Sequence, residues 1–160
     1  MGHGATQLPP LDTVHLHTMY GGMADDFTQC MVSNSRMAAR AITRRYDSYL
    51  RPYGVTATQL SLLGGIQMLP GATVSALAEA RGFERTTLIR NLDKLEQLGL
   101  VVSEHHSGRR GRMPTITPAG AALLKRLVPL WRQAQAELRA ELSPDGFDDG
   151  LKTLKRLAKV

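Results

Sequence analysis

Two short helical patterns joined by a three-residue turn constrain the fold of this chain more than any other feature. Residues 75–80 predict a short helix whose Leu77 and Ala78 face inward. A turn over residues 81–83, with a glycine at its centre, leads into a longer pattern at residues 84–98. Leucines recur there at helical spacing on one face: Leu88, Leu92, Leu95 and Leu98. This arrangement predicts a helix-turn-helix.

A basic β-hairpin is predicted directly after these two helices. Gly99 is suited to ending the second helix. Residues 100–104 and 113–117 are then predicted to form two strands. The loop between them is too rich in glycine and charge to belong to a core. It carries three arginines: Arg109, Arg110 and Arg112.

The rest of the chain is predicted to be helical apart from its beginning. Apolar periodicity predicts four further helices, at about residues 26–50, from 56 or 58 to 69, at 118–142 and at 144–159. Residues 1–25 show no periodicity, so we expect an N-terminal arm that is mobile. The predicted fold class is therefore mainly α, with a small β-hairpin wing on a helix-turn-helix core.

The charge balance permits a polyanionic partner. Twenty lysines and arginines against fourteen acidic residues give a net charge of +6 and a pI near 9.9. Net charge alone does not separate nucleic acid from an anionic membrane surface. No stretch approaches the roughly 18 apolar residues of a membrane helix, and no signal-peptide core is visible. We therefore expect a cytoplasmic protein with no membrane partner.

The polar face of the second helix is the candidate surface for DNA. At 100° per residue, Thr86, Arg90 and Lys94 lie opposite Leu88, and Arg85, Thr87 and Asn91 flank them. We expect base contacts in the major groove from Thr86, Thr87, Arg90 and Asn91, and phosphate contacts from Arg85 and Lys94. The wing arginines Arg109, Arg110 and Arg112 would reach phosphates and the minor groove. The alternative is a polar face that contacts only water.

The chain resembles the MarR family of bacterial regulators over about residues 27–160. The matching stretches occur at residues 40–47, 54–63, 85–92, 95–101 and 116–120. The resemblance implies one domain over residues 26–160, in which residues 56–117 form the winged helix-turn-helix. Helices at residues 26–52 and 119–160 would form a homodimer that binds a pseudo-palindromic double-stranded operator. It also implies a repressor that a small aromatic or anionic ligand releases from DNA.

Two positions depart from the family pattern. The wing of such proteins commonly carries Asp-x-Arg before the second strand, and Arg110 matches that arginine. Gly108 stands where the aspartate would orient it, so Arg109 and Arg112 could share its role. Glu84 occupies a position where relatives often have an aspartate that caps the helix, and glutamate is a poorer cap.

Candidate ligand residues come from the first helix and from scattered large apolar side chains. Arg36, Arg40 and Arg44 recur every four residues, and one of this stripe could hold a ligand carboxylate. Met37, Met68 and Trp131 are candidate pocket walls. The alternatives are a solvated or intersubunit arginine face and ordinary core residues.

Cys30, the only cysteine, offers a second way to respond to a signal. Some members of the family sense oxidants through one cysteine in this helix, which implies redox sensing here. Such a cysteine needs exposure and a lowered thiol pKa, and a helix N-terminus favours both. The alternative is a small buried residue in the dimer interface.

No cofactor, metal site or enzymatic activity is expected. A single cysteine excludes a multi-cysteine zinc finger, and the adjacent His105 and His106 would point to opposite faces of a strand. Phosphate-binding glycine loops, G-x-S-x-G and H-E-x-x-H are all missing. The remaining alternative is an architectural winged-helix protein without a ligand response.

Overall fold

The computed structural model describes residues 28–105 and 111–159. Its helices are α1 (Met31–Leu50), α2 (Ala57–Met68), α3 (Val74–Arg81), α4 (Arg85–Gln97), α5 (Pro118–Leu142) and α6 (Pro144–Leu157), with one 3₁₀ turn at Arg51–Tyr53. Strands β1 (Val101–His105) and β2 (Arg112–Ile116) form the only sheet in these ranges. The mainly α fold with a small hairpin is thus confirmed. The chain divides into two compact units, Met1–Ile42 and Thr43–Val160.

In the first unit, the described residues are almost entirely solvent-exposed. Cys30 and Ile42 are half-buried, whereas Met31 is 64% exposed. The side-chain amide of Asn34 donates hydrogen bonds to the carbonyl oxygens of Thr28 (2.7 Å) and Cys30 (2.9 Å). These bonds satisfy carbonyls that precede the regular part of α1.

Leucines from α2, α3 and α4 build the core of the second unit, joined by Leu127 of α5. Leu88, Leu92 and Leu95 are completely buried, as their spacing predicts. The prediction that Leu98 belongs to the same buried stripe is wrong, because Leu98 is 43% exposed. Helix α4 ends at Gln97, and Gly99 with a φ of 69° turns the chain into β1.

Side-chain caps mark the starts of α2 and α3, but not the start of α4. Thr56 and Gln59 form a reciprocal capping box at the start of α2. The Thr73 hydroxyl accepts a hydrogen bond from the backbone N–H of Ala76 at the start of α3. Glu84 makes no side-chain cap bond at the start of α4, in keeping with its poor capping ability.

The base of the hairpin is anchored to the first turn of α5. The Thr117 backbone N–H donates to the carbonyl oxygen of Leu100 (3.1 Å), and its hydroxyl donates to that of Gly99 (2.7 Å). Gly120 lies so close to the Leu100 carbonyl that a Cβ at this position would overlap it. From this base β1 and β2 run antiparallel, from Val101 opposite Ile116 to His105 opposite Arg112.

Helix α6 has no buried residue and presents an exposed apolar stripe that includes Leu151, Leu154 and Leu157. The Arg139 guanidinium of α5 pairs with Asp148 (2.8 Å) and stacks over the Phe147 ring. None of the helices in the described part of the chain is long and apolar enough to cross a bilayer.

Candidate nucleic-acid interface

The outer face of α4 brings together the residues predicted for the major groove. Arg85, Thr86, Arg90 and Lys94 are exposed, and Thr87 and Asn91 are half-buried. Thr86, Arg90, Asn91 and Lys94 also line a shallow depression, to which Gln59 of α2 contributes. The first turn of α4 has no side-chain cap, so its outermost N–H groups remain available to an anion.

One of the predicted base-contacting groups is partly engaged within the helix. The Asn91 side-chain amide donates to the Thr87 carbonyl oxygen at 2.8 Å. This bond fixes the orientation of the Asn91 side chain and occupies one of its two N–H donors. Its other N–H and its carbonyl oxygen remain for a partner.

The wing arginines divide into two groups. Arg109 and Arg110 lie outside the described residues, and their roles stay predictions. Arg112, the first residue of β2, points to α4: its guanidinium donates to Asp93 Oδ1 (2.7 Å) and Glu96 Oε2 (2.5 Å). Burial disfavours the charged form of Arg112, but its bonds to the two carboxylates outweigh this and raise the pKa of the guanidinium.

An apolar cavity of about 490 Å³ lies beside the helix-turn-helix within the second unit. Its walls come from α1, α2, α3 and α5, and include Tyr46, Leu60, Met68, Leu124, Val128 and Trp131. Two predicted pocket residues, Met68 and Trp131, are therefore part of this cavity. Arg36, Met37 and Arg40 are exposed residues of the first unit and are not among its lining residues.

Arg81, the last residue of α3, supplies the cation at this cavity, and sequence reasoning missed it. Its guanidinium donates to the Ser61 hydroxyl at 3.0 Å and pairs with no carboxylate in the described ranges. Its stem crosses α2 at Gly65, where a Cβ would lie 3.3 Å from Arg81 Cγ. The available signal in the sequence was Gly65, one helical turn after the small polar residue Ser61, which leaves space on α2 for a long side chain.

Cys30 immediately precedes α1 and is half-buried. Hydrogen bonds from the backbone N–H and the hydroxyl of Ser33, and from the backbone N–H of Val32, lower the pKa of its thiol. The thiolate is consequently favoured relative to an ordinary cysteine.

Comparisons with known proteins agree with this architecture. Residues 53–112 match the model of the MarR family. The M. tuberculosis transcriptional regulator MosR is 38% identical, with a TM-score of 0.70, over 83% of this chain and 98% of its own. A structure of that regulator in complex with DNA matches equally well, at 38% identity and a TM-score of 0.70 over 82% and 97% of the two chains. MarR from E. coli is 25% identical, with a TM-score of 0.64 over 80% and 96%.

Proposed function

We propose that this chain, which belongs to the MarR family of DNA-binding transcriptional regulators, represses transcription from a pseudo-palindromic operator. In this proposal it binds the operator as a homodimer, and a small amphipathic anion releases it. The observation that carries the proposal is the outer face of α4, which presents three cations and Thr86 to solvent.

The proposed DNA contacts follow from the chemistry of that face. Arg90 and Asn91 have the donor geometry for guanine and adenine edges, and Thr86 and Thr87 can bond either bases or phosphate. Arg85 lies at the positive end of the helix dipole, where phosphate is favoured. Lys94 is exposed nearer the C-terminal end of α4 and suits a phosphate at the groove wall.

A homodimer would cover apolar side chains at both ends of the described chain. Met31 and Val32 at the start of α1 are each more than half exposed. The Leu151, Leu154 and Leu157 stripe of α6 is 40–55% exposed, and such contiguous apolar surface marks an interaction site. Twofold symmetry would match two copies of α4 to successive major grooves.

The cavity supports a small-molecule effector of defined chemistry. Its volume lies in the range of small-ligand sites, about 300–1,000 Å³. The apolar walls suit an aromatic or aliphatic body, and the Arg81 guanidinium suits a carboxylate or similar head group. Arg81 also ends α3, so an anion that draws it from Ser61 would act on the helix-turn-helix.

The proposal is tested by measuring the affinity for a labelled duplex from upstream of the coding sequence and for a scrambled duplex, at matched salt. We expect two chains per operator and a clear preference for it. Arg90→Ala should weaken operator binding by about 1–3 kcal/mol and relax base preference. Lys125→Ala, an exposed cation of α5, is the matched control and should have little effect. Equal affinity of the wild type for both duplexes would indicate an architectural protein instead.

A redox response through Cys30 is the second candidate, and the lowered pKa of its thiol favours it. In this case the thiolate would attack peroxide to form a sulfenic acid and release hydroxide, which takes up a proton to give water. Wild-type protein should then lose its operator affinity after peroxide treatment and regain it with a thiol reductant, whereas Cys30→Ser should not respond. An identical response in the variant would exclude Cys30 as the sensor.

A further inference from the structure

Arg112 joins two elements that both face DNA in the proposed function. Asp93 and Glu96 lie three residues apart, so they project from the same side of α4. Arg112 begins β2 directly after the wing loop, and its two terminal nitrogens each take one of these carboxylates. The arginine therefore links the C-terminal half of α4 to the outer end of the hairpin.

The burial of the three side chains distinguishes this link from an ordinary surface ion pair. The Arg112 side chain is only 20% exposed, and those of Asp93 and Glu96 are 49% and 29% exposed. Exposed pairs of long side chains contribute little. A guanidinium held by two carboxylates in a partly buried site is more strongly oriented, because its planar fork is bonded at both ends.

The position of Arg112 in the hairpin gives the link a consequence for the wing. Arg112 pairs with His105, the last pair of the two-stranded ladder before the loop. Such a hairpin is marginally stable by itself, and here Thr117 anchors its opposite end. The bonds of Arg112 to α4 therefore hold the outer end of the described hairpin as well as its base.

We propose that Arg112 is a positioning residue. Through Asp93 and Glu96 it holds the β1–β2 hairpin in its position relative to α4, and it does not bind phosphate itself. This inference rests on the proposed operator binding. The two carboxylates would otherwise repel DNA. In this proposal they increase operator affinity, because they hold Arg112 in place. Asp93 lies in the same depression as Thr86, Arg90 and Lys94, where an unpaired carboxylate would face the phosphates.

The electrostatic effect and the positioning effect predict opposite changes in DNA affinity, and this difference provides the test. The double variant Asp93→Asn/Glu96→Gln raises the net charge by two, so electrostatics alone predicts tighter DNA binding. Our proposal predicts about tenfold weaker operator binding, on the scale of losing charged hydrogen bonds, and a smaller ratio of operator to scrambled-duplex affinity. Tighter or unchanged operator binding would overturn the proposal.

Two further variants separate the effect of the planar guanidinium geometry of Arg112 from the effect of its positive charge. Arg112→Lys keeps the positive charge but cannot bond both carboxylates in the same planar geometry, so it should also lose operator selectivity. Wild-type affinity in Arg112→Lys would overturn the requirement for the fork. In the triple variant Arg112→Met/Asp93→Asn/Glu96→Gln, no unpaired carboxylate remains, and selectivity should stay low. Recovery to the wild-type value would reduce the role of Arg112 to charge neutralisation and overturn positioning.

The salt dependence of binding distinguishes positioning from phosphate contact. Each lost phosphate contact lowers the slope of log affinity against log salt by about 0.9. Asp93→Asn/Glu96→Gln removes no cation, and our proposal predicts that this variant loses selectivity with an unchanged slope. A slope lowered by about 0.9 would indicate a lost Arg112–phosphate contact and overturn the proposal. Its denaturation midpoint, measured in parallel, should show a folded protein under binding conditions. A wild-type protein without operator preference would instead refute the proposed function.

Discussion

Replacement of Gly120 by alanine should destabilise the protein although alanine is the better helix former. Gly120 lies in the first turn of α5 and is buried against the hairpin base. A Cβ there would overlap the Leu100 carbonyl oxygen and lie 2.9 Å from Ile116 Cγ1. The Leu100 carbonyl is held in place because it accepts the Thr117 N–H bond.

The size of the loss in stability follows from the contacts that the added Cβ would displace. Relieving an overpacked contact costs about 1–3 kcal/mol, and weakening the Thr117–Leu100 hydrogen bond adds about 1 kcal/mol. The helix preference of alanine over glycine returns at most about 1 kcal/mol. We therefore expect the free energy of unfolding of Gly120→Ala to fall by about 1–3 kcal/mol, with the helix content of the folded state unchanged.

Gly64→Ala is the matched control. Gly64 also lies within a helix, but a Cβ there meets no atom within 4 Å. This variant should gain about 0.5–1 kcal/mol. Urea denaturation followed by circular dichroism measures both, at equal protein concentration because the proposed dimer would unfold with dissociation. A Gly120→Ala protein as stable as the wild type would show that the hairpin base can move away from α5, against the geometry described above.

Three further predictions concern charge and chemistry. Arg110→Ala should weaken binding to operator and scrambled duplex alike and lower the salt slope by about 0.9, as a salt titration of both affinities would reveal; an unchanged slope would exclude a phosphate contact. Arg81→Gln should abolish the preference for 2-naphthoate over 2-naphthamide measured by calorimetry, while equal binding of the two compounds by the wild type would remove Arg81 as an anion site. Cys30 should reach half-maximal alkylation by iodoacetamide at a lower pH in the folded protein than in urea, because the folded thiol has the lowered pKa; coincident pH profiles would contradict the hydrogen bonds from Ser33 and Val32.

The elements of the fold were predictable because their signals are local. Leucine spacing and capping residues predicted α3 and α4 to within a residue at each end, and the strands to within one residue. Leu98 was misassigned because periodicity continues past the point where Gly99 turns the chain. Helical spacing indicates which face a side chain occupies, but not where the helix stops.

The two arginines with unexpected partners could not be assigned from local pattern. Arg112 is 16 residues from Glu96 in the chain, and only the packing of the hairpin on α4 brings them together. As an isolated feature, a charged residue beside a basic loop suggests a phosphate contact. Arg81 was likewise interpreted as part of a turn, because its cavity is assembled from four helices and has no signature in any one of them. Tertiary packing decides the role of a long cationic side chain.

The tight approach of Gly120 to Leu100 also limits how α5 can move. Three of the cavity walls, Leu124, Val128 and Trp131, lie on this same helix, within the three turns after Gly120. The glycine leaves no space between the first turn of α5 and the hairpin base. A tilt of α5 caused by a molecule in the cavity would therefore move the base of the hairpin as well.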